Sequence, residues 1–502
     1  MISLTEMARE MVISRDNYET RVGIVEDSEL VEMYIERSTK SVVGNIYLGK
    51  VTDVLPGMQA AFVDIGLEKN AFLYVDDVRD HTGKGQSGRS ISSMLSVGKK
   101  ILVQVAKDPM GTKGARVTME ISIPGRFVVL MPFAHHVGVS KKIEDKRAEE
   151  LSKFTREHLE DGRGAIVRTA AIDAGEKELL ADISFLNRVW RRVLRQVADG
   201  IVPEVVYTEI DLAMRMVRDV FNRDFSKLVI DDKDTFEKVV SFLKRSAPEL
   251  AKKVVWHKEK TISLFDSYDF SVQLKKALAR EVDLPSGGQI VIDVTEALVA
   301  IDVNTGSFTG RKTLEDTILR TNLEAASEAL KQIRLRDLGG IIVIDFIDME
   351  EDIHKRKLEE HIAQLLERDR SKTQLSQITS LGLVQIARKR TTEGLYKVLT
   401  DVCPRCSGRG RSLSFETCQI EVERKIREIM ASSRHQAFLF AINDETYTSI
   451  MDSGVNFALT IRAETGKHIR LVGERNLEPT EVNVLIEGTH PKDSFGKKRL
   501  MR

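Results

Sequence analysis

Cysteine is scarce: three in 502 residues cannot make a disulfide framework, which excludes a small cross-linked secreted scaffold. Proline is scarce too, at 10, and with 42% hydrophobic and 30% charged residues the chain reads as globular rather than disordered. Net charge is absent, because 76 Lys and Arg balance 76 Asp and Glu. Bulk charge therefore cannot hold a polyanion, and any such site must be local. No apolar stretch is long enough to span a bilayer. Residues Met1 to Ala8 lack the basic and apolar regions of a signal peptide. A cytoplasmic location is expected, and the length suits roughly three or four domains.

What is present centres on residues 288–348. Gln289-Ile290-Val291-Ile292-Asp293-Val294 and Ala297-Leu298-Val299-Ala300-Ile301-Asp302-Val303-Asn304 read as two strands, with Thr295-Glu296 as a hairpin break. Ile341-Ile342-Val343-Ile344-Asp345 reads as a third. Between the second and third strands the pattern predicts a helix of about seven turns. Thr313 and Asp316 mark its start as a capping box, and Gly339-Gly340 its end. The two-residue repeat of a strand puts Asp302 and Asn304 on one face and Ile301 and Val303 toward a core. Asp345 falls at a strand end. Two carboxylates and an amide on adjacent strand ends make a hard-oxygen site suited to Mg²⁺ completed by substrate phosphate. Pattern alone also fits ordinary strand-end aspartates.

The segments Ala300-Ile301-Asp302-Val303-Asn304-Thr305-Gly306 and Asp337-Leu338-Gly339-Gly340-Ile341-Ile342-Val343-Ile344-Asp345-Phe346-Ile347-Asp348 resemble the catalytic core of the ribonuclease E/G family. The Asn-Thr-Gly version is closer to its ribonuclease G branch. The resemblance implies that Asp302 and Asp345 bind a catalytic Mg²⁺ and that Asn304 helps hold the scissile phosphate. It spans nearly the whole chain and implies a multidomain α/β and α+β architecture. A ribonuclease H-like domain (1–37 and 215–278) is interrupted by an S1-type OB barrel (38–120) and a 5′-sensor region (121–214). A DNase I-like catalytic domain (279–399), a zinc-link (400–411) and a small C-terminal dimerisation domain (412–502) follow.

Taken in order, residues 10–37 alternate like two strands, Arg21–Glu26 and Leu30–Ile35, about an Asp27-Ser28 turn. From Gly44 to Val105, short strands with glycine-marked turns suggest a small barrel of the OB type. Its pattern resembles an S1 domain, in which Phe62 and Phe72 stack on bases and Lys113 contacts phosphate. Without the resemblance, a place in the barrel core is the favoured reading for both rings.

Gly164-Ala165-Ile166-Val167-Arg168-Thr169-Ala170 reads as a strand. An Arg beside a Thr can bind a terminal phosphate through the guanidinium fork and the hydroxyl, although a surface Arg on a strand gives the same pattern. The segment resembles the family's 5′-sensor, which implies that Arg168 and Thr169 hold a 5′-monophosphate with backbone near Gly125 and Val129. Helix 182–199 carries Arg188, Arg191, Arg192 and Arg195, a charged solvated face by default. Lys141, Lys142, Lys372 and the Arg388–Arg390 cluster are candidate phosphate contacts.

Cys403-Pro404-Arg405-Cys406-Ser407-Gly408-Arg409-Gly410 is a zinc-knuckle half-site. Structural zinc takes four ligands, so two cysteines here require two from a second chain. A redox Cys-x-x-Cys is the rival, and the Gly-Arg-Gly sequel fits it poorly. The half-site resembles the family's zinc-link, implying a homodimer through shared zinc and leaving open a dimer of dimers. Cys418 is expected in a core. Residues 412–502 read as a small α/β domain with strands near 437–442 and 469–472. The long tail of some relatives, which docks other RNA-decay proteins, is not expected after Arg502.

The function so implied is a Mg²⁺-dependent, single-strand-specific endoribonuclease of ribosomal RNA processing and messenger RNA decay, leaving 5′-phosphate and 3′-hydroxyl ends and stimulated by a 5′-monophosphate. The alternatives are a non-catalytic RNA-binding scaffold with a zinc-linked dimer, and a thiol redox protein.

Overall fold

A computed structural model describes residues 8–37, 41–79, 90–109, 113–259, 261–305, 314–376, 379, 382–390, 392, 394–452 and 457–489. Thr313 of the expected capping box and Gly306 lie outside the described residues. The chain forms two compact units, residues 1–399 and 400–502. Among the described residues no helix is long and apolar enough to cross a membrane.

The first unit is a mixed α/β assembly of several sheets. Its N-terminal sheet has five strands in the order Val254–Trp256, Phe225–Ile230, Arg9–Arg15, Glu19–Glu26, Glu29–Arg37. The last three are antiparallel and the first three parallel. The sequence suggested two strands before residue 38, but there are three. Arg9–Arg15 is the central one and is buried over Met11–Ile13 on both faces, so it shows an apolar run rather than alternation.

Strands Ile46–Leu55, Ala60–Asp64, Ala71–Tyr74, Arg116–Thr118 and Lys100–Lys107 close into a five-stranded barrel, consistent with an S1/OB-like domain. Closure comes from Arg116–Thr118, which inserts between Ala71–Tyr74 and Lys100–Lys107, rather than from the 101–105 strand alone. Beside the barrel, Ile123–Pro124, Val128–Met131, Gly164–Val167 and Val137–Val139 make a four-stranded sheet. Helix Glu176–Asp199 joins their core through Leu179, Ile183, Leu186, Trp190 and Val193.

The sheet carrying Asp302 and Asp345 runs Glu281–Asp283, Gln289–Val294, Leu298–Asn304, Gly340–Asp345, Leu383–Arg388, Thr373–Leu375. The hairpin at Thr295 forms as expected, with the Leu298 N–H donating to Thr295 Oγ1 at 3.1 Å. Val299, Ile301 and Val303 turn toward helices Leu314–Leu335 and Asp352–Leu366, which cover one face of the sheet. Ala325, Ala326 and Ala329 let the first helix lie close. That helix stops at Leu335, earlier than the glycine pair suggested. Asp337 takes the left-handed conformation (φ +48°) that commonly ends helices, and Gly340 (φ +97°) opens the next strand.

An ion-pair cluster ties the N-terminal sheet to this helical layer. Arg334 on helix Leu314–Leu335 donates to Glu26 at 2.8 Å and to Glu32 at 3.1 Å. Arg370 donates to Glu32 and to the Tyr34 hydroxyl, and Tyr34 donates to Glu32 at 2.8 Å.

The second unit packs helices Phe415–Ser432, Asp444–Asp452 and Phe457–Thr465 on a sheet ordered His468–Glu474, Ala437–Asn443, Val482–Gly488. The first two strands match the expected positions, and the exposed edge strand Val482–Gly488 is an addition.

Candidate active site

Asp302 and Asp345 are direct register partners on neighbouring parallel strands. Their side chains therefore leave the same face, the one the helices do not cover, and both residues are exposed. Asn304, two residues along, donates its Nδ2 to Asp302 Oδ2 at 3.0 Å. All three expected residues thus converge on one open edge. Burial, then the charges of Asp302 and Asp348, holds the Asp345 carboxyl above the ordinary carboxylate value. A pair of like-charged carboxylates raises the pKa of one of them. Among the described residues no group of three or more His, Cys, Asp or Glu is arranged to hold a metal ion. Two carboxylates fit the hard, water-retaining Mg²⁺, which needs only one or two from protein.

On the barrel, Phe62 and Phe72 are cross-strand partners with ring centroids 6.0 Å apart, edge to face. Both are part-exposed and absent from the barrel core, which is built instead from Val51, Ala61, Val63, Leu73 and their neighbours. Tyr74, exposed and stacked 6.5 Å from Phe72, extends the aromatic surface and was missed in the sequence, where nothing distinguishes it from any strand tyrosine. Lys113 is exposed. It precedes Gly114, where a Cβ would come within 2.0 Å of the Asn70 carbonyl oxygen, so glycine is what lets residue 113 lie beside the Phe72 strand.

Arg168 and Thr169 follow strand Gly164–Val167 rather than lying within it; the chain turns into a 3₁₀ helix at Thr169. They line a cavity of about 740 Å³ that also receives Lys142, Arg223 and Asn222. Arg168 Nη1 donates to the Gly125 carbonyl oxygen at 2.8 Å and to Asp219 at 2.6 Å. The Thr169 and Ser140 hydroxyls are hydrogen-bonded at 2.8 Å. Gly125 touches this site through its carbonyl, whereas Val129 sits on the strand beneath, paired with Ile166, and Lys141 is not among the cavity residues.

Two residues that sequence reasoning missed organise the cavity. The buried Asp182 carboxylate accepts the N–H groups of Arg126, Phe127 and Val128 at 3.0, 2.8 and 3.1 Å. Burial raises its pKa against those three hydrogen bonds. Its signal was an acid on the apolar stripe of a helix. Asp219 backs Arg168. Burial alone would raise its carboxyl, but hydrogen bonds from Arg218 and the charges of Arg168 and Arg218 hold it below the usual range.

Other basic candidates divide. Lys372 and Lys389 are exposed. Arg388 is not a phosphate contact: it is buried and paired with Asp369 and Asp337, each at 2.7 Å. Arg390 donates to the Gly339 carbonyl oxygen at 3.0 Å. A strand buried on one face needs an internal partner for an inward charge, and Arg388 points inward.

In the second unit, Cys403 and Cys406 occupy a tight turn in which the Ser407 N–H donates to the Cys403 carbonyl oxygen at 2.8 Å. Gly408 and Gly410 have positive φ (+84° and +72°). Their N–H groups, Gly410 first, pull the Cys406 thiol below its ordinary pKa, which favours the thiolate a metal needs. Cys418 is buried, as expected, on the same helix face as Val422 and Ile426.

A profile described as the Ribonuclease E/G family matches residues 122–391. Ribonuclease G of Escherichia coli (strain K12) is 39% identical over 474 residues, 93% of this chain and 97% of that protein. Ribonuclease G of Haemophilus influenzae is 40% identical over 489 residues, 95% of this chain and 99% of its own. Ribonuclease E of H. influenzae is 36% identical over 431 residues, 84% of this chain and 46% of that protein. On this match and this extent of identity, the chain belongs to the ribonuclease E/G family.

Proposed function

We propose that this endoribonuclease cuts unpaired RNA internally with Mg²⁺, leaving 5′-phosphate and 3′-hydroxyl ends, and works faster on RNA with a 5′-monophosphate. The observation that carries the reading is the register pairing of Asp302 with Asp345, with Asn304 hydrogen-bonded beside them. A Mg²⁺ held by the two carboxylates would supply a bound water of lowered pKa and neutralise phosphate charge. The chain's own groups do the positioning. Asn304 fixes the Asp302 carboxylate through Oδ2 and keeps a second N–H for a phosphate oxygen. Phe62 and Phe72 hold bases by stacking, worth about 1–3 kcal/mol per base, and Lys113 a neighbouring phosphate. Bases must be unstacked to reach these rings, which selects unpaired RNA. Arg168 and Thr169 receive the 5′ end.

The finer architecture goes with this reading: a ribonuclease H-like domain from the five-stranded N-terminal sheet, an S1-type barrel, a 5′-sensor region and a DNase I-like catalytic domain. A zinc-linked homodimer through Cys403 and Cys406, a cytoplasmic location, and roles in ribosomal RNA processing and messenger RNA decay complete it. The test is cleavage of a 5′-monophosphorylated unstructured oligonucleotide in Mg²⁺ by the parent, Asp302→Asn and Asp345→Asn proteins. Internal cutting lost in both variants with RNA binding kept is expected. Tight binding without cutting by the parent, across several RNAs and divalent ions, would refute it.

A further inference from the structure

Behind the Arg168 cavity lies a second one, of about 550 Å³, within the size range of small-molecule sites. Phe185, Tyr207, Met214 and Phe242 give it aromatic and apolar walls. Phe185 is 47% exposed.

The polar part of the wall is unevenly paired. Arg126 is 5% exposed and donates Nη1 to Val217 and Nη2 to Phe221, yet its buried Nε has no partner. Lys238 makes no ion pair among the described residues. Among the described residues Arg245 meets only the Ser241 carbonyl oxygen, through Nε. Of the lining acids, Asp182 accepts three backbone N–H groups, and Glu237 lies 3.8 Å from Lys233 in an exposed pair that leaves its charge at the rim. Asp234 and Glu237 share the rim with Lys238 and Arg245. An aromatic slot with two cations at its rim, neither ion-paired among the described residues, suits a planar base joined to a phosphate.

We propose that this cavity binds one nucleoside monophosphate unit, free or within an RNA strand. The base lies among Phe185, Tyr207 and Phe242, and the phosphate against Lys238 and Arg245. Arg126 and Arg218 line both cavities, so the two sites stand back to back. Arg218 donates to the Pro124 carbonyl oxygen at 3.1 Å and grips Asp219, the residue that holds Arg168. An occupant here therefore bears on the placement of Arg168; this last clause rests on the 5′-sensor reading, and the binding site itself does not.

The probe is adenosine 3′-monophosphate, which has no 5′-phosphate to enter the Arg168 cavity. Calorimetric titration into the full chain, and into Arg168→Ala, should give the same single site per chain. Phe185→Ala and Lys238→Glu, both surface changes, should each weaken it about fivefold or more. A second arm photocrosslinks a 5′-hydroxyl oligonucleotide carrying 4-thiouridine and maps the adduct. Adducts on Phe185 or Tyr207 without binding of the free nucleotide identify a unit of an RNA strand; nucleotide binding without adducts identifies a free ligand. No saturable binding and no adduct there, or binding indifferent to both substitutions, overturns the proposal. Binding that survives in Arg168→Ala while the parent shows no 5′-end preference refutes the sensor reading alone.

Discussion

Arg168 is held from behind by Asp219, whose Oδ1 lies 2.6 Å from its Nη1. The same nitrogen reaches the Gly125 carbonyl oxygen at 2.8 Å, so Nη1 is committed to the protein and the rest of the fork is left for the cavity. Replacing Arg168 by Gln should remove most of the advantage of 5′-monophosphorylated over 5′-hydroxyl RNA, about tenfold for one lost charge-assisted contact. Asp219→Asn should reduce the same ratio by a smaller factor, since Arg168 keeps its charge but loses its anchor. Rates on the 5′-hydroxyl substrate serve as the control. An unchanged ratio in Arg168→Gln would refute the assignment of this cavity to the 5′ end.

The Asp302–Asp345 pair has opposite consequences for stability and for activity. The folded-state pKa of Asp345 is raised by burial and by the charges of Asp302 and Asp348. Ionisation is therefore harder in the folded than in the unfolded chain, and above the raised pKa the charged group weakens the metal-free fold. Asp345→Asn should melt no lower than the parent in EDTA, and slightly higher at neutral pH, while cleavage falls by about a thousandfold or more through loss of a metal ligand. Cleavage by the parent should decline as pH falls toward the raised pKa, since protons then compete with the cation. A lower melting temperature together with partial activity would mark Asp345 as structural.

Glu32 gives a prediction about stability. Burial alone would raise its carboxyl. The guanidiniums of Arg370 and Arg334, with hydrogen bonds from Arg370 and Tyr34, overcome that and bring it down to about 2. A depressed folded-state pKa contributes stability that is complete above the unfolded value near 4.5 and is lost as pH falls toward 2. Glu32→Gln leaves Arg334 and Arg370 without their shared buried anion and should cost about 3 kcal/mol at neutral pH. It should also flatten the acid limb of the stability curve between those two values. Chemical denaturation at several pH values measures both, and a variant as stable as the parent would show the cluster to be dispensable.

The parts of this structure that could be read from sequence are those in which local pattern and chemistry coincide. Strand Leu298–Asn304 alternates core and solvent residue by residue, so the face of Asp302 and Asn304 followed from period alone. Arg9–Arg15 was overlooked for the opposite reason: buried on both faces, it has no alternation to show. Arg388 looked like one of a surface basic cluster because its partners, Asp337 and Asp369, are 51 and 19 residues away. Asp219 and Asp182 acquire their roles from residues 51 and 54–56 positions distant, a relationship no spacing rule encodes. The barrel rings stand between these cases. Strand pairing puts Phe62 opposite Phe72, but only the closed barrel shows both rings outside its core.

The cysteine turn supports a last prediction, about assembly. Cys403 is exposed and Cys406 part-exposed, in a turn whose N–H groups favour the thiolate. Cys418 is buried, and burial raises its thiol. Two thiolates satisfy half of a tetrahedral zinc site. The purified protein should therefore carry about half a zinc per chain and sediment as a dimer or a multiple of one. A strong chelator, or Cys403→Ser or Cys406→Ser, should remove the zinc and shift the population toward smaller species. Cys418→Ala should keep the metal and lose only packing stability. One full zinc per monomeric chain would mean that the site is completed within the chain, and zinc-free protein with a Cys403–Cys406 disulfide would favour the redox alternative.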